Sequence, residues 1–140
     1  MAWARWRAFE KEVAKHLNGL RRVRVNYGES CEDVAHKTFA IECKYGKQVP
    51  GYTKVKTPIE LNREYYLIPS ACLGQIPTEV VDVGYDLEFL QRGMAQAQSY
   101  NEDKIPLLCL KPPNWKRFIM VFWKTDYLTL LKEFSCFINS

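Results

Sequence analysis

Residues 33–44, with the sequence DVAHKTFAIECK, decide the fold. Two short apolar stretches flank the polar turn sequence HKT, which is the pattern of a β-hairpin. Successive side chains of a strand point to opposite faces. We therefore expect Cys43 to lie in the core, while Glu42 and Lys44 share the other face.

Three residues of this hairpin, Asp33, Glu42 and Lys44, have the chemistry of a metal-dependent hydrolytic site. In a tight hairpin Asp33 lies close to Glu42, and adjacent carboxylates raise each other's pKa unless a divalent cation neutralises them. Oxygen ligands favour Mg²⁺ or Mn²⁺ over zinc. A neighbouring lysine can orient a water or stabilise charge that grows on a phosphate. The same spacing also fits a hairpin whose charged residues only face solvent, so the segment alone leaves both interpretations open.

A third carboxylate comes from the predicted first helix at residues 2–18. On a helical wheel Glu10 lies within an apolar stripe, between Trp6 and Val13. A buried carboxylate is costly unless it is paired, neutralised or bound to a metal. Glu10 therefore either pairs with an arginine such as Arg24, extends to the edge of the helix, or points towards the hairpin.

The rest of the chain predicts an α/β fold. Proline and glycine divide residues 46–85 into short pieces, of which EYYLIP and TEVVDV fit strands, and we interpret this stretch as an insertion in one domain covering 1–140. The other predicted elements are a helix at 2–18, strands at 20–27, 33–36 and 39–45, a helix at 86–101, strands at 105–111 and 117–123, and a last helix capped by Thr125 or Asp126. This order indicates a mixed sheet with helices on both faces, in which the nearly all-apolar strand 105–111 is central.

Composition limits the classes of function. The chain has 140 residues and a net charge of +4, with no apolar run long enough to span a bilayer and no signal-peptide pattern at the N-terminus, so we expect a cytoplasmic protein. Five cysteines without a CxxC pair, and only two histidines, argue against structural zinc and for reduced thiols. Basic residues and aromatics interleave in the first 56 residues, which suggests a polyanionic partner.

The carboxylates and the lysine resemble the motif of the PD-(D/E)xK nuclease superfamily. The matching segments are FEKEVAKHL with Glu10, SCEDVA with Asp33, and FAIECK with Glu42 and Lys44. In a later segment, Gln96 and Tyr100 resemble the QxxxY motif of some of these nucleases, and at i,i+4 they share a helix face. The resemblance implies a restriction-endonuclease-like αβββαβ core.

Within the superfamily, FEKE, RRVRV and GESCEDVA are similar to the first half of the archaeal-type Holliday junction resolvases, including those carried by phages. The loop serine of that group corresponds to Ser30. The proline that often precedes the aspartate is replaced by Glu32, the hairpin is short, and residues 46–85 have no counterpart.

The resemblance implies a role for each matching residue. Asp33, Glu42 and the backbone carbonyl of Cys43 hold Mg²⁺ or Mn²⁺, Lys44 orients the attacking water, and Glu10 holds a second metal or a metal-bound water. The partner would be branched DNA, which the enzyme cuts during recombination or repair as a homodimer. The candidate DNA-binding residues are Arg21, Arg22, Arg24, Ser30, Lys47, Lys54, Lys56, Gln96 and Tyr100.

Two alternatives to a junction resolvase stay open. One is another nuclease of the superfamily that acts on duplexes or DNA ends, which the pair Gln96 and Tyr100 favours. The other is a non-catalytic nucleic-acid-binding protein on the same fold, against which the presence of all four motif residues argues. Many of the candidate phosphate contacts could equally be solvated surface charges.

Overall fold

The structure, a computed structural model, describes residues 2–18, 20–21, 33–84 and 87–133, and the side chains of residues 2–4 and 20–21 lie outside the described part. Its helices are α1 (Ala2–His16), α2 (Glu88–Tyr100) and α3 (Lys124–Glu133). No helix in these ranges is long and apolar enough to cross a membrane.

Within the described residues, eight strands form one mixed sheet in the order β1-β2-β3-β7-β8-β5-β4-β6. Their bounds are β1 Leu20–Arg21, β2 Val34–Ala35, β3 Phe39–Tyr45, β4 Ile59–Leu61, β5 Tyr65–Pro69, β6 Glu79–Val81, β7 Ile105–Lys111 and β8 Ile119–Trp123. Strand β3 pairs in parallel with β7, and β8 pairs antiparallel with both β7 and β5.

Helices cover both faces of this sheet, and each face has its own apolar core. On one face, Val13 of α1 and Leu130 of α3 pack with Ile41 of β3. On the other, Leu90 of α2 packs with Leu108 of β7. Because side chains alternate along a strand, Leu107 and Leu108 of β7 enter different cores. The protein is therefore an α/β fold with its sheet between two helical layers.

Helix α2 lies close to the sheet at Gly93. A Cβ atom placed on Gly93 would come within 2.7 Å of the Leu108 side chain, which is fully buried in β7. The missing side chain lets the helix axis approach the sheet. This close packing carries the C-terminal half of α2 to the face on which Glu42 and Lys44 point.

The turn between β2 and β3 is organised by His36. The His36 Nδ1 atom accepts hydrogen bonds from the backbone N–H groups of Thr38 (3.0 Å) and Phe39 (3.3 Å). Its Nε2 atom therefore carries the proton and lies 2.8 Å from the carbonyl oxygen of Leu17, beyond the end of α1. Burial lowers the pKa of His36, which is consistent with this neutral ring. The hairpin is thus tied to the first helix.

Residues 46–85 add strands to the same sheet. Strand β5 pairs with β8, β4 with β5, and β6 with β4, so the segment widens the sheet on the side away from β2. The β4–β5 turn places Asn62 and Arg63 consecutively in the left-handed region, at φ 50° and 57°. Leu61 pairs with Tyr65, so three residues connect the strands, and the Glu64 N–H donates to the Leu61 carbonyl oxygen (3.1 Å) to close the turn.

Most sequence-predicted elements are confirmed. The hairpin 33–45, the central strand 105–111 and the helix at 86–101 are all present, the last as α2. The two strands expected in EYYLIP and TEVVDV are β5 and β6, while β4 was not predicted. The last helix begins at Lys124, so Thr125 and Asp126 lie inside its first turn and do not precede it. Only residues 20–21 of the strand predicted at 20–27 lie within the described part.

Candidate functional site

The side chains of β3 alternate between the two faces of the sheet, as the sequence pattern predicts. Cys43 is 3% exposed and belongs to the core on the α1 and α3 face. Glu42 and Lys44 point to the opposite face, where they meet α2. Cys43 is a buried thiol, and burial raises its pKa well above the usual range. It therefore packs in the core, as expected, and is unsuited to act as a nucleophile.

Asp33 is fixed at the start of β2 by two contacts with β3. Its backbone N–H donates to the Ile41 carbonyl oxygen (3.1 Å), and its Oδ2 atom accepts from the Cys43 N–H (2.9 Å). The Asp33 carboxylate thus accepts the hydrogen bond from Cys43 that a backbone carbonyl group of a neighbouring strand would otherwise accept. Since the N–H and C=O of one residue face the same neighbouring strand, the Cys43 carbonyl faces the same edge as Asp33.

The Asp33 and Glu42 carboxyl groups are in contact, and both are buried, at 4% and 2% exposure. The pKa of Glu42 is raised to about 8. Burial is the main cause, followed by the hydrogen bond to Asp33 and the repulsion by its charge, and Lys44 opposes the shift. At neutral pH the pair therefore retains a proton. A divalent cation between the two carboxylates would neutralise their mutual repulsion in place of that proton.

Four side chains close a ring on the α2 face. Lys44 Nζ lies 3.2 Å from Glu42 Oε2 and donates to Gln96 Oε1, also at 3.2 Å. Gln96 Nε2 donates to the Tyr100 hydroxyl (2.9 Å), and that hydroxyl donates to Glu42 Oε1 (3.1 Å). Because a lysine ammonium only donates, the Gln96 amide has one orientation that satisfies the ring. The ring holds the Lys44 ammonium in a fixed position beside the carboxylate pair.

The pKa of Tyr100 is raised above its usual range, first by burial and then by the charge of Glu42. Its hydroxyl therefore keeps its proton and acts as a donor to Glu42. Gln96 and Tyr100 were predicted to share a helix face and to be candidates for binding DNA. The structure places them in direct contact with two candidate catalytic residues, and the i,i+4 spacing was the signal for it.

Glu10 is buried at 4% exposure in α1, beside Val13 and Leu17, as its place in the apolar stripe predicted. Its charge contributes to the raised pKa of the Cys43 thiol, so it lies on the α1 face of β3. Among the described residues, no group of three or more His, Cys, Asp or Glu side chains could hold a metal ion. Glu10 therefore does not complete a three-carboxylate group with Asp33 and Glu42, and its catalytic role stays a prediction.

The candidate metal ligands that the structure brings together are two carboxylates and one carbonyl, from Asp33, Glu42 and Cys43. All are hard oxygen donors, which fit Mg²⁺ or Mn²⁺ and not zinc. Mg²⁺ usually keeps several waters and needs only one or two carboxylates with a substrate phosphate. This donor set therefore fits such an ion without a third side chain.

The predicted DNA-binding residues fall into three groups. Arg22, Arg24 and Ser30 lie outside the described residues, as does the side chain of Arg21. Lys47, Lys54 and Lys56 are exposed in the segment that follows β3. The remaining two, Gln96 and Tyr100, belong to the ring.

Comparisons with known proteins add no relative. No protein-family model matches the chain, and searches of curated proteins and of solved structures found no match.

Proposed function

We propose that the protein is a metal-dependent endodeoxyribonuclease of the PD-(D/E)xK type, and that four-way DNA junctions are its principal substrate. The observation that carries the proposal is the buried contact between Asp33 and Glu42, with Lys44 held beside it. Two carboxylates that share a proton in a low-dielectric site cost folding free energy. Such an arrangement is characteristic of functional sites, because it is relieved when the groups bind a cation.

Each residue then has a defined task. Asp33, Glu42 and the Cys43 carbonyl would hold Mg²⁺ or Mn²⁺ at the edge of the sheet. The ion supplies a Lewis acid for the phosphate and a bound water of lowered pKa. Lys44 orients the attacking water and stabilises the charge that grows on the phosphate. Gln96 and Tyr100 position Lys44 and Glu42 through the ring.

The preference for junctions rests on the resemblance of the segments FEKE, RRVRV and GESCEDVA to archaeal-type resolvases. Resolution needs two symmetric cuts and hence a two-fold dimer. The apolar segments 117–123 and 126–131 contribute Phe122 and Leu130 to the core, where both are fully buried, while Leu128 is exposed.

A second candidate is a nuclease of the same superfamily that acts on duplexes or DNA ends. The ring favours it, because Gln96 and Tyr100, the residues that resemble QxxxY, contact Lys44 and Glu42 directly. In that case the two residues would be part of the hydrolytic site and not a separate contact with DNA.

The experiment that tests both candidates compares four-way junctions, linear duplexes and single strands, each with Mg²⁺ and with EDTA. Paired symmetric nicks in the junction, abolished by EDTA, support the first candidate. Progressive shortening of the duplex supports the second. Intact DNA of every form in Mg²⁺ and in Mn²⁺, from folded protein, would contradict both.

A further inference from the structure

Several connecting segments lie side by side along the border of the sheet at which β3 ends. This border runs across the ends of the strands and not along an outermost strand. The strand register aligns Lys44 of β3 with Leu110 of β7, Leu110 with Ile119 of β8, and Ile119 with Pro69 of β5. Strand β4 begins beside the end of β5. Segments 46–58, 70–78 and 112–118 therefore all lie at this edge, which we call the basic edge.

The three connecting segments of the basic edge carry charge of one sign. The three segments contain no aspartate and no glutamate. They contain five basic residues, all of them exposed, which are Lys47, Lys54, Lys56, Lys116 and Arg117. None of the five forms an ion pair with another residue in the described ranges. Acidic side chains near the edge include the buried pair Asp33 and Glu42 at its β3 end, Glu12 of α1, which pairs with Lys111 at the end of β7, and Glu79, the first residue of β6.

We propose that the basic edge binds the phosphate backbone of a duplex DNA arm that leads away from the candidate site. The inference rests on the proposed function and adds to it the side of the cut on which the enzyme needs duplex. Lys116 and Arg117, in the β7–β8 connection, were not among the residues predicted to bind DNA. Their connection joins β7 and β8, which stand between β3 and β4 in the strand order.

The length of the basic edge determines how many base pairs of a DNA arm it can contact. From β3 to β4 the edge crosses five adjacent strands, and four gaps of about 4.8 Å span about 19 Å. One DNA strand places a phosphate every 3.4 Å along the duplex axis, so this span corresponds to about six base pairs. A stiff duplex can follow a row of connections of this length without being ordered first, whereas a flexible acidic peptide would lose conformational entropy on doing so.

The basic edge is also continuous with the candidate site. Lys44 lies at one end of it, in contact with Glu42. A backbone that follows the five cations would reach the carboxylate pair at the point where a phosphate is to be cut. The cations would also offset the repulsion between the two carboxylates and an approaching polyanion.

The test measures DNA binding by fluorescence anisotropy in EDTA, where no hydrolysis takes place, with branched DNA whose arms have about 3 or about 10 base pairs. The double variant Lys56→Ala/Lys116→Ala removes two charges from the basic edge. The double variant Lys37→Ala/Lys132→Ala removes two exposed charges elsewhere and serves as the control. For long arms, the first variant should bind about 10-fold or more weakly, and the slope of log K against log salt should fall by about 2.

For short arms, both variants should bind like the wild-type protein. An equal loss for the two variants, or a loss that does not depend on arm length, would overturn the proposal. Binding of polyglutamate with the affinity of the long-armed DNA would overturn it as well. Because the readout is binding in EDTA, a protein that binds long arms in this way and never cuts DNA would contradict the proposed function alone.

Discussion

The connecting segments at the two ends of the strands differ in the sign of their charges and in the contacts that their charged residues make. The basic edge, where β3 ends, carries basic connecting segments and, at its β2 end, the buried pair Asp33 and Glu42. The opposite edge comprises segments 36–38, 62–64, 82–84 and 101–104, which contain charges of both signs. Some of these charged groups bind within the fold, as Lys104 does to the His36 carbonyl oxygen and Arg63 does to Asp82. Charges of the basic edge are therefore available to a ligand, whereas Lys104 and Arg63 at the opposite edge link one connecting segment to another.

The largest expected effect comes from removing one carboxylate at the basic edge. Asp33→Asn should lower the rate of Mg²⁺-dependent DNA cleavage by about 10³-fold or more, on the order of 4 kcal/mol, because it removes a metal ligand. DNA binding, measured by anisotropy, should change little, since no phosphate-binding cation is lost. The matched change at the opposite edge, Asp103→Asn, should leave the cleavage rate unchanged. Equal rates for all three proteins would mean that the two edges do not differ in catalysis.

The next effect concerns stability and pH in EDTA. Glu42 has its pKa raised from 4.5 to about 8, so its neutral form is favoured in the folded protein. This contribution to the free energy of unfolding is fully present below pH 4.5 and is lost as the pH rises through 8. Glu42→Gln does not ionise, so at pH 8 and above it should be more stable than the wild-type protein, by on the order of 2–4 kcal/mol.

Thermal or urea unfolding between pH 5 and pH 9 would measure the Glu42→Gln effect across the window set by the two values of its pKa. The control is Glu102→Gln at the opposite edge, where the carboxylate is exposed. That variant should follow the wild-type curve. If Glu42→Gln also followed it, the two carboxylates would not be in contact in the folded protein.

A smaller effect is expected from the ring. Gln96→Leu removes the acceptor for Lys44 and the donor to Tyr100, so Lys44 should lose its fixed position. We expect kcat for DNA cleavage to fall about 10-fold, about 1.4 kcal/mol, while KM and the melting temperature change little. Gln91→Leu, an exposed glutamine of the same helix, is the control and should leave kcat unchanged. A fall in melting temperature that matched the fall in kcat would indicate a purely structural role.

The smallest effect belongs to the opposite edge. Because burial lowers the pKa of His36 below 6.5, the neutral ring is favoured by folding. Its contribution to stability is present above pH 6.5 and is lost as the pH falls below that value. His36→Asn should therefore cost about 1 kcal/mol at pH 8, and less at pH 5, without changing the rate of DNA cleavage at pH 8. Denaturant unfolding at the two pH values measures the difference, and an equal cost at both would contradict the neutral ring.

The sequence predicted best what depends on local periodicity. Alternation in 39–45 placed Cys43 in one core and Glu42 with Lys44 on the other face, and the apolar run 105–111 indicated the central strand. The helical wheel of the first helix correctly predicted that Glu10 is buried. These features follow from side-chain direction within one element, which the sequence encodes directly.

Contacts between distant elements were harder to predict. The ring joins β3 to α2 across more than fifty residues, and only the i,i+4 spacing of Gln96 and Tyr100 indicated that the two act together. Strand β4 was missed because three residues are too few to show a period. The wheel could not tell whether Glu10 reaches the hairpin, since this depends on how α1 crosses the sheet. The basic edge emerged only once the strand register aligned its segments.

In the proposed function, the buried carboxylate pair at the basic edge binds a divalent metal that promotes the hydrolysis of DNA. The most direct test is the single-turnover cleavage rate of a labelled four-way junction in Mg²⁺, compared between the wild-type protein and Glu42→Gln. We expect cleavage by the wild-type protein and a rate lower by about 10³-fold or more for the variant, although the fold of the variant is at least as stable. Cleavage by Glu42→Gln at the wild-type rate would contradict the proposed function.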